Sequence, residues 1–258
     1  MRHCITVVFL AQFFLVGCST ASKQVVQVSL NSETIDATAD GISVVHISIQ
    51  PNNSEVFDKL FQFGEVVGDQ QLQENLKREG VQLLKIAVVD VPAIVASIGE
   101  LENETYIWHG QIMKWRDLHQ RAVDKNGMLI SAEGIPYFIQ RGKLSLLCRS
   151  WLMPQEGGLY MYLQAMPTWH VPRGDTSILS RSAEPIESKV FMNLQFETLL
   201  KDDEAILLAV DLRAPKEISG PQDDGSPPVR LGEALLGGPV DNDVVELLII
   251  EANIMPRM

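Results

Sequence analysis

Cysteine is scarce in this chain. Three cysteines, Cys4, Cys18 and Cys148, stand among 258 residues. Three cysteines are too few for a disulfide framework, and without a Cys-x-x-Cys pair a zinc-ribbon scaffold is not expected. Positive charge is also in short supply. Lys and Arg number 21 against 33 Asp and Glu, a net charge of −12. Binding to nucleic acid depends on Lys and Arg neutralising phosphates, so no nucleic-acid partner is expected. The apolar run from Ile5 to Val16, broken by Thr6 and Gln12, falls short of the roughly 20 residues that a membrane-spanning helix needs. Phosphate-loop, dinucleotide, Gly-x-Ser-x-Gly and His-Glu-x-x-His motifs are missing. An enzyme is not excluded by that, because catalytic triads assemble from scattered residues.

The chain opens with a recognisable plan. Arg2 and His3 give a short basic start, Ile5 to Val16 is apolar, and small Gly17 precedes Cys18. These are the three parts of an export signal. Leu15-Val16-Gly17-Cys18 resembles the lipobox of bacterial lipoproteins. The resemblance implies that Leu15, Val16 and Gly17 are the signal-recognition positions and that Cys18 carries the lipid after cleavage before it. One buried acyl chain holds only marginally, at about 0.8 kcal/mol per methylene. The several chains that lipoproteins carry make anchoring permanent. Ser19 after the cysteine is compatible with the outer membrane. The expected partners are the membrane, through Cys18, and an envelope protein.

An apolar fraction of 46% and a charged fraction of 21% are those of an ordinary globular protein. The expected organisation is a signal peptide at 1–17, a lipidated tether at 18–40, an α/β module at 41–100 and a β-rich region at 101–258. The expected fold class is α+β, a small α/β module followed by a mainly antiparallel β region.

Val25-Val26-Gln27-Val28 can form a short strand within the tether. Val44 to Ile49 is β-branched and partly alternating, hence a strand. Val56, Leu60, Phe61 and Phe63 fall near helical spacing. Asp69 is placed to cap a helix whose face carries Leu72 and Leu76, with Gly80 as its stop. Val81 to Val89 reads as a strand with Lys85 inside it. Asp90 and Pro92 open a short helix that buries Ile94, Val95 and Ile98 and ends at Gly99.

Tyr106 to His109 is strand-like. Residues 111–123 suit either a helix or a bent strand. Asp124-Lys125-Asn126-Gly127 is a turn. Leu144 to Met153 and Leu159 to Trp169 form the clearest hairpin. Val190 to Leu200 alternates, Lys201 to Glu204 turns, and Ala205 to Val210 returns, which predicts a second hairpin. Residues 214–229, with four prolines and two glycines, read as a long exposed loop. Val244 to Ala252 is apolar on both of its faces, which predicts a central strand covered on both sides. This last third, with Leu231-Gly232-Glu233-Ala234-Leu235-Leu236-Gly237-Gly238 before the closing strand, resembles the C-terminal hairpins of secretin-type envelope proteins.

Few residues offer themselves for chemistry, and no catalytic residue is assigned. Trp108-His109 and Trp169-His170 are read as tryptophans packing at sheet edges and histidines facing solvent. His46 and His119 complete the set from which a metal reading would draw. No tight ligand spacing links these histidines, so no metal and no cofactor are expected. Asp202-Asp203-Glu204, Asp223-Asp224 and Asp241-Asn242-Asp243 are read as solvated turns, since none has the full pattern of a calcium loop. Cys148, in the apolar run from Leu144, is read as a buried structural thiol. The expected role is that of a lipid-anchored envelope protein with a structural or binding task. The alternatives are an extracytoplasmic hydrolase and an accessory factor of a secretion channel.

Cys18→Ser is expected to abolish incorporation of radioactive palmitate when the precursor is produced in a bacterium that processes lipoproteins. Undiminished labelling of the variant would remove Cys18 as the lipid site.

Overall fold

The computed structural model describes residues 39–50, 59–171, 188–211, 228–237 and 244–256. The expectations for 1–38, Val56, the greater part of 214–229, Asp223-Asp224 and Asp241 to Asp243 lie outside these described residues.

In chain order the elements begin with β1 (Gly41–Ile49), β2 (Gly64–Val66), α1 (Gln70–Arg78), β3 (Val81–Ala87) and α2 (Val91–Ile98). Then come β4 (Leu101–Gly110), β5 (Ile112–Ala122), β6 (Met128–Ala132), β7 (Ile135–Ile139), β8 (Lys143–Gln155) and β9 (Gly158–His170). The chain closes with β10 (Ser188–Val190), β11 (Phe196–Leu200), β12 (Glu204–Val210), β13 (Val229–Arg230), α3 (Leu231–Leu236) and β14 (Val245–Asn253). The protein is α+β and mainly antiparallel β. Among the described pairings only β13 with β6 is parallel.

Local chemistry accounts for the helix ends. Asp69 accepts from the Leu72 backbone N–H at 2.8 Å and so caps α1. Gly80 follows α1 with φ +71°, a left-handed conformation that favours glycine. Pro92 sits in the first turn of α2, where its missing N–H costs nothing, and Ile94, Val95 and Ile98 are buried.

Three sheets result. The first has six strands in the order β2-β3-β12-β14-β1-β4. The late strands β12 and β14 thus lie between the early pairs β2-β3 and β1-β4. β14 lies inside it, between β12 and β1. Leu247 and Ile249 on one face and Leu248 and Ile250 on the other are all inaccessible to solvent. Apolar character on both faces of a strand does mark two-sided cover here. Lys85, inside β3, reaches Glu204 at 3.2 Å and the Leu199 carbonyl at 3.0 Å.

The second sheet runs β10-β9-β8-β5, with β11 also paired to β9. Its centre is the expected hairpin. β8 and β9 stay in register from Lys143↔His170 to Gln155↔Gly158, so pairing extends through Pro154 and only Glu156 and Gly157 form the turn. The third sheet is β13-β6-β7.

Two expectations fail, and each failure has a physical cause. Val190 to Leu200 is not one strand, because a 3-10 turn at Met192–Leu194 separates β10 from β11 and buries Leu194. Nor does the turn at 201–204 close a hairpin. β11 pairs with β9 in the second sheet, while β12 pairs with β3 and β14 in the first. The turn therefore carries the chain across from one sheet to the other. β12 is buried almost throughout, and a strand with two apolar faces is better covered inside the six-stranded sheet than at a hairpin edge.

Candidate functional site: a buried helix end and its histidine

The short helix α3 lies where the three sheets meet. It packs against β12 and β14 of the first, β5 and β8 of the second, and β6 and β13 of the third. Leu231, Ala234, Leu235 and Leu236 are all buried. Gly232 is required for the fit, since a methyl there would lie 2.6 Å from both the Glu79 carbonyl oxygen and Val81 Cγ2.

A buried helix end exposes backbone groups that have no partner within the helix. Several of those groups are met here. At the start, Gly232 N–H donates to the Glu79 carbonyl at 2.8 Å. Arg230, almost wholly buried, donates to the Asp211 carbonyl at 2.8 Å and to Glu233 Oε1. At the far end, Arg121 Nη1 donates to Ala234 O at 2.8 Å and Glu233 O at 3.2 Å. His119 Nε2 is 2.8 Å from Leu235 O, so this nitrogen carries the proton and donates. A cation at a helix C-terminus is also favoured by the helix dipole.

A bulge delivers these two side chains. β5 runs Asp117↔Leu147 and then His119↔Leu146, so Leu118 and His119 together face a single partner residue. Strict alternation is broken, and the consecutive residues Leu118 and His119 are both buried. Such bulges re-aim side chains. Gln120 and Arg121 continue in the shifted register, which returns Arg121 to the interior side that His119 occupies. Within residues 111–123, Ile112–Ala122 is thus a strand, and the bulge is why the pattern suits a helix as much as a strand.

His119 has a second neighbour. With Nε2–H committed to Leu235, Nδ1 presents its lone pair 3.2 Å from Glu246 Oε2. His46 Nδ1 is 3.9 Å from the same oxygen. Glu246 is on β14 and His46 on the adjacent β1, where the register pairs His46 with Leu248 and Ser48 with Glu246. Both therefore face the second sheet, from which His119 reaches them. One donor atom from each of the three side chains lies within 4.8 Å of the other two, and among the described residues this is the group that could hold a metal. The His46 imidazole holds the Glu246 carboxyl below its ordinary value, against the cost of burial. Burial lowers the proton affinity of His119, which Glu246 and the Leu235 carbonyl oppose. His46 Nε2 is buried and has no hydrogen-bond partner.

The other sequence candidates fall elsewhere. His109 does not face solvent freely. Its Nε2 is buried without a hydrogen-bond partner, and burial lowers its pKa, as do Arg116 and His46. Trp169 donates to the Arg141 carbonyl at 3.0 Å, and neither Trp169 nor His170 is fully exposed. Cys148 is buried, which raises its thiol pKa far above the ordinary value and keeps it an inert thiol. Glu246 was visible in the sequence only as a polar interruption of an apolar strand.

The outer face of the second sheet carries a different cluster. The Arg149 guanidinium lies 4.9 Å from the Trp115 ring centre and 5.4 Å from that of Trp151. Trp151 in turn packs on Tyr162 with ring centres 4.5 Å apart. Tyr162 donates to Glu197 at 2.5 Å, and burial together with that carboxylate pushes its phenol up to about 12. Met113, 68% exposed, extends this face.

No protein-family model, no curated protein and no solved structure matches the chain.

Arg121→Met keeps much of the buried stem and removes the donors. It is expected to destabilise the fold by about 1–3 kcal/mol, the cost of leaving buried acceptors unsatisfied. Urea denaturation checks this, and an unchanged midpoint would show that the carbonyls at the end of α3 do not need Arg121.

Proposed function

We propose that the chain is a lipid-anchored envelope protein whose body is a binding module. The anchor rests on Leu15-Val16-Gly17-Cys18. The binding role rests on one observation, the outward row Trp115, Arg149, Trp151 and Tyr162 on an antiparallel sheet. Aromatic and arginine side chains lead the energetics of protein interfaces because each covers a large area in a packed, desolvated contact. In this row the rings and the guanidinium already brace one another. A cation over an aromatic face at an exposed site contributes about 0.5–1 kcal/mol. The row is therefore held in place before a partner arrives, which lowers the ordering cost of binding.

The partner is an envelope protein. The acidic charge of the chain disfavours attraction to anionic lipid, so lipid on Cys18 supplies the membrane attachment and leaves the aromatic row for a protein.

A photo-crosslinker at position 115, in the native envelope, is expected to give a discrete adduct with another protein. Trp151→Ala is expected to remove that adduct. The same probe at exposed Gln70 on α1 serves as the comparison. Equal adducts from both positions, or an adduct indifferent to Trp151→Ala, would contradict the assignment of this face.

A further inference from the structure

We propose that His46, His119 and Glu246 bind a divalent transition-metal ion of the zinc type. The site is independent of the aromatic face and of the lipid anchor.

His119 Nε2–H is fixed on the Leu235 carbonyl at 2.8 Å, which leaves Nδ1 as a lone pair. That lone pair faces Glu246 Oε2 at 3.2 Å. Two electron-rich atoms held this close inside a protein repel unless a positive centre bridges them. Zinc bonds to imidazole nitrogen and carboxylate oxygen are about 2.0–2.2 Å. The edge of a tetrahedron with bonds of that length is about 3.3–3.6 Å, so the His119–Glu246 separation is just short of that between two ligands sharing one ion. His46, at 3.9 Å from the same oxygen, needs only a small side-chain adjustment to supply a third bond.

The surroundings fit a ligand role. Metal-bound histidines usually donate their other ring N–H to a carbonyl or carboxylate, which sets the tautomer and the ring angle. Leu235 O does this for His119. The ligands come from three strands, β1, β5 and β14, in two sheets, so the site is held by the core. Two imidazoles with one carboxylate suit zinc and its neighbours, whereas calcium and magnesium prefer all-oxygen sites. The side chain of Glu246 is 25% exposed, which leaves room at the rim for a water in the fourth position. Arg121 is the charge that opposes a dication here, and its Nη1 is committed to two backbone carbonyls of α3.

The test uses the whole chain purified in detergent, stripped with a chelator and titrated with zinc against a chromophoric competitor. His46→Gln is the chosen variant, because His119 also holds α3 and its loss endangers the fold. Wild type is expected to take up one equivalent of zinc and to melt at a higher temperature with it. His46→Gln and Glu246→Gln are each expected to weaken zinc binding at least tenfold and to lose that rise in melting temperature. Cobalt is expected to give the visible absorption of a four-coordinate ion in wild type alone. Three results would overturn the proposal: no zinc uptake by wild type, equal uptake by both variants, or calcium or magnesium bound as tightly as zinc. The first would mean that a proton bridges His119 and Glu246.

Discussion

A six-residue helix can sit inside a core only if its end groups find partners there, and α3 sets that demand at the junction of all three sheets. Apart from Glu233, whose carboxylate accepts from Arg230, its side chains would be accepted by any core. Its carbonyls would not. Each unmet buried acceptor costs about 1–3 kcal/mol, a large share of a net stability of about 5–15 kcal/mol. Arg121 and His119 meet the demand from β5, and the Glu79–Gly80 corner meets it at the other end. The corner also ties down the end of β12, because Asp211 N–H donates to the Gly80 carbonyl at 2.8 Å. Much of the arrangement of the sheets follows from how this helix is held.

That solution has a chemical by-product. The bulge that turns His119 toward Leu235 fixes which ring nitrogen is protonated, and the other nitrogen is then directed at Glu246. A structural cap thereby creates a donor pair. His46 on β1 and Glu246 on β14 project from the same face of adjacent strands, offset by two residues in register. Buried polar groups are expensive unless they are partnered, and these are placed to partner one another and His119. The metal site we propose grows from the same contacts that hold the helix.

The sequence disclosed elements better than it disclosed connections. Asp69, Gly80, Pro92 and Gly99 are local signals, and the helices they bound are where those residues put them. The two-faced apolarity of β14 revealed its central place, because covering both faces is the only way to use such a strand. By contrast, nothing between Phe196 and Val210 states that a turn crosses between sheets, since a hairpin turn and a crossover turn share the same polar residues. The site was hidden for a related reason. His46, His119 and Glu246 are far apart in the chain, and the bulge that aims His119 erases the alternation by which its face would have been read.

The central claim is that α3 is part of the cooperative core and is not a segment wedged into it. Native-state hydrogen exchange tests this directly at the amides of Gly232 and Gly237, which donate to Glu79 O and Glu233 O. The account predicts that both exchange with the same opening free energy as Leu248 and Ile249 in β14, through global unfolding alone. Exchange of Gly232 and Gly237 at a much smaller opening free energy, while β14 stays protected, would contradict it.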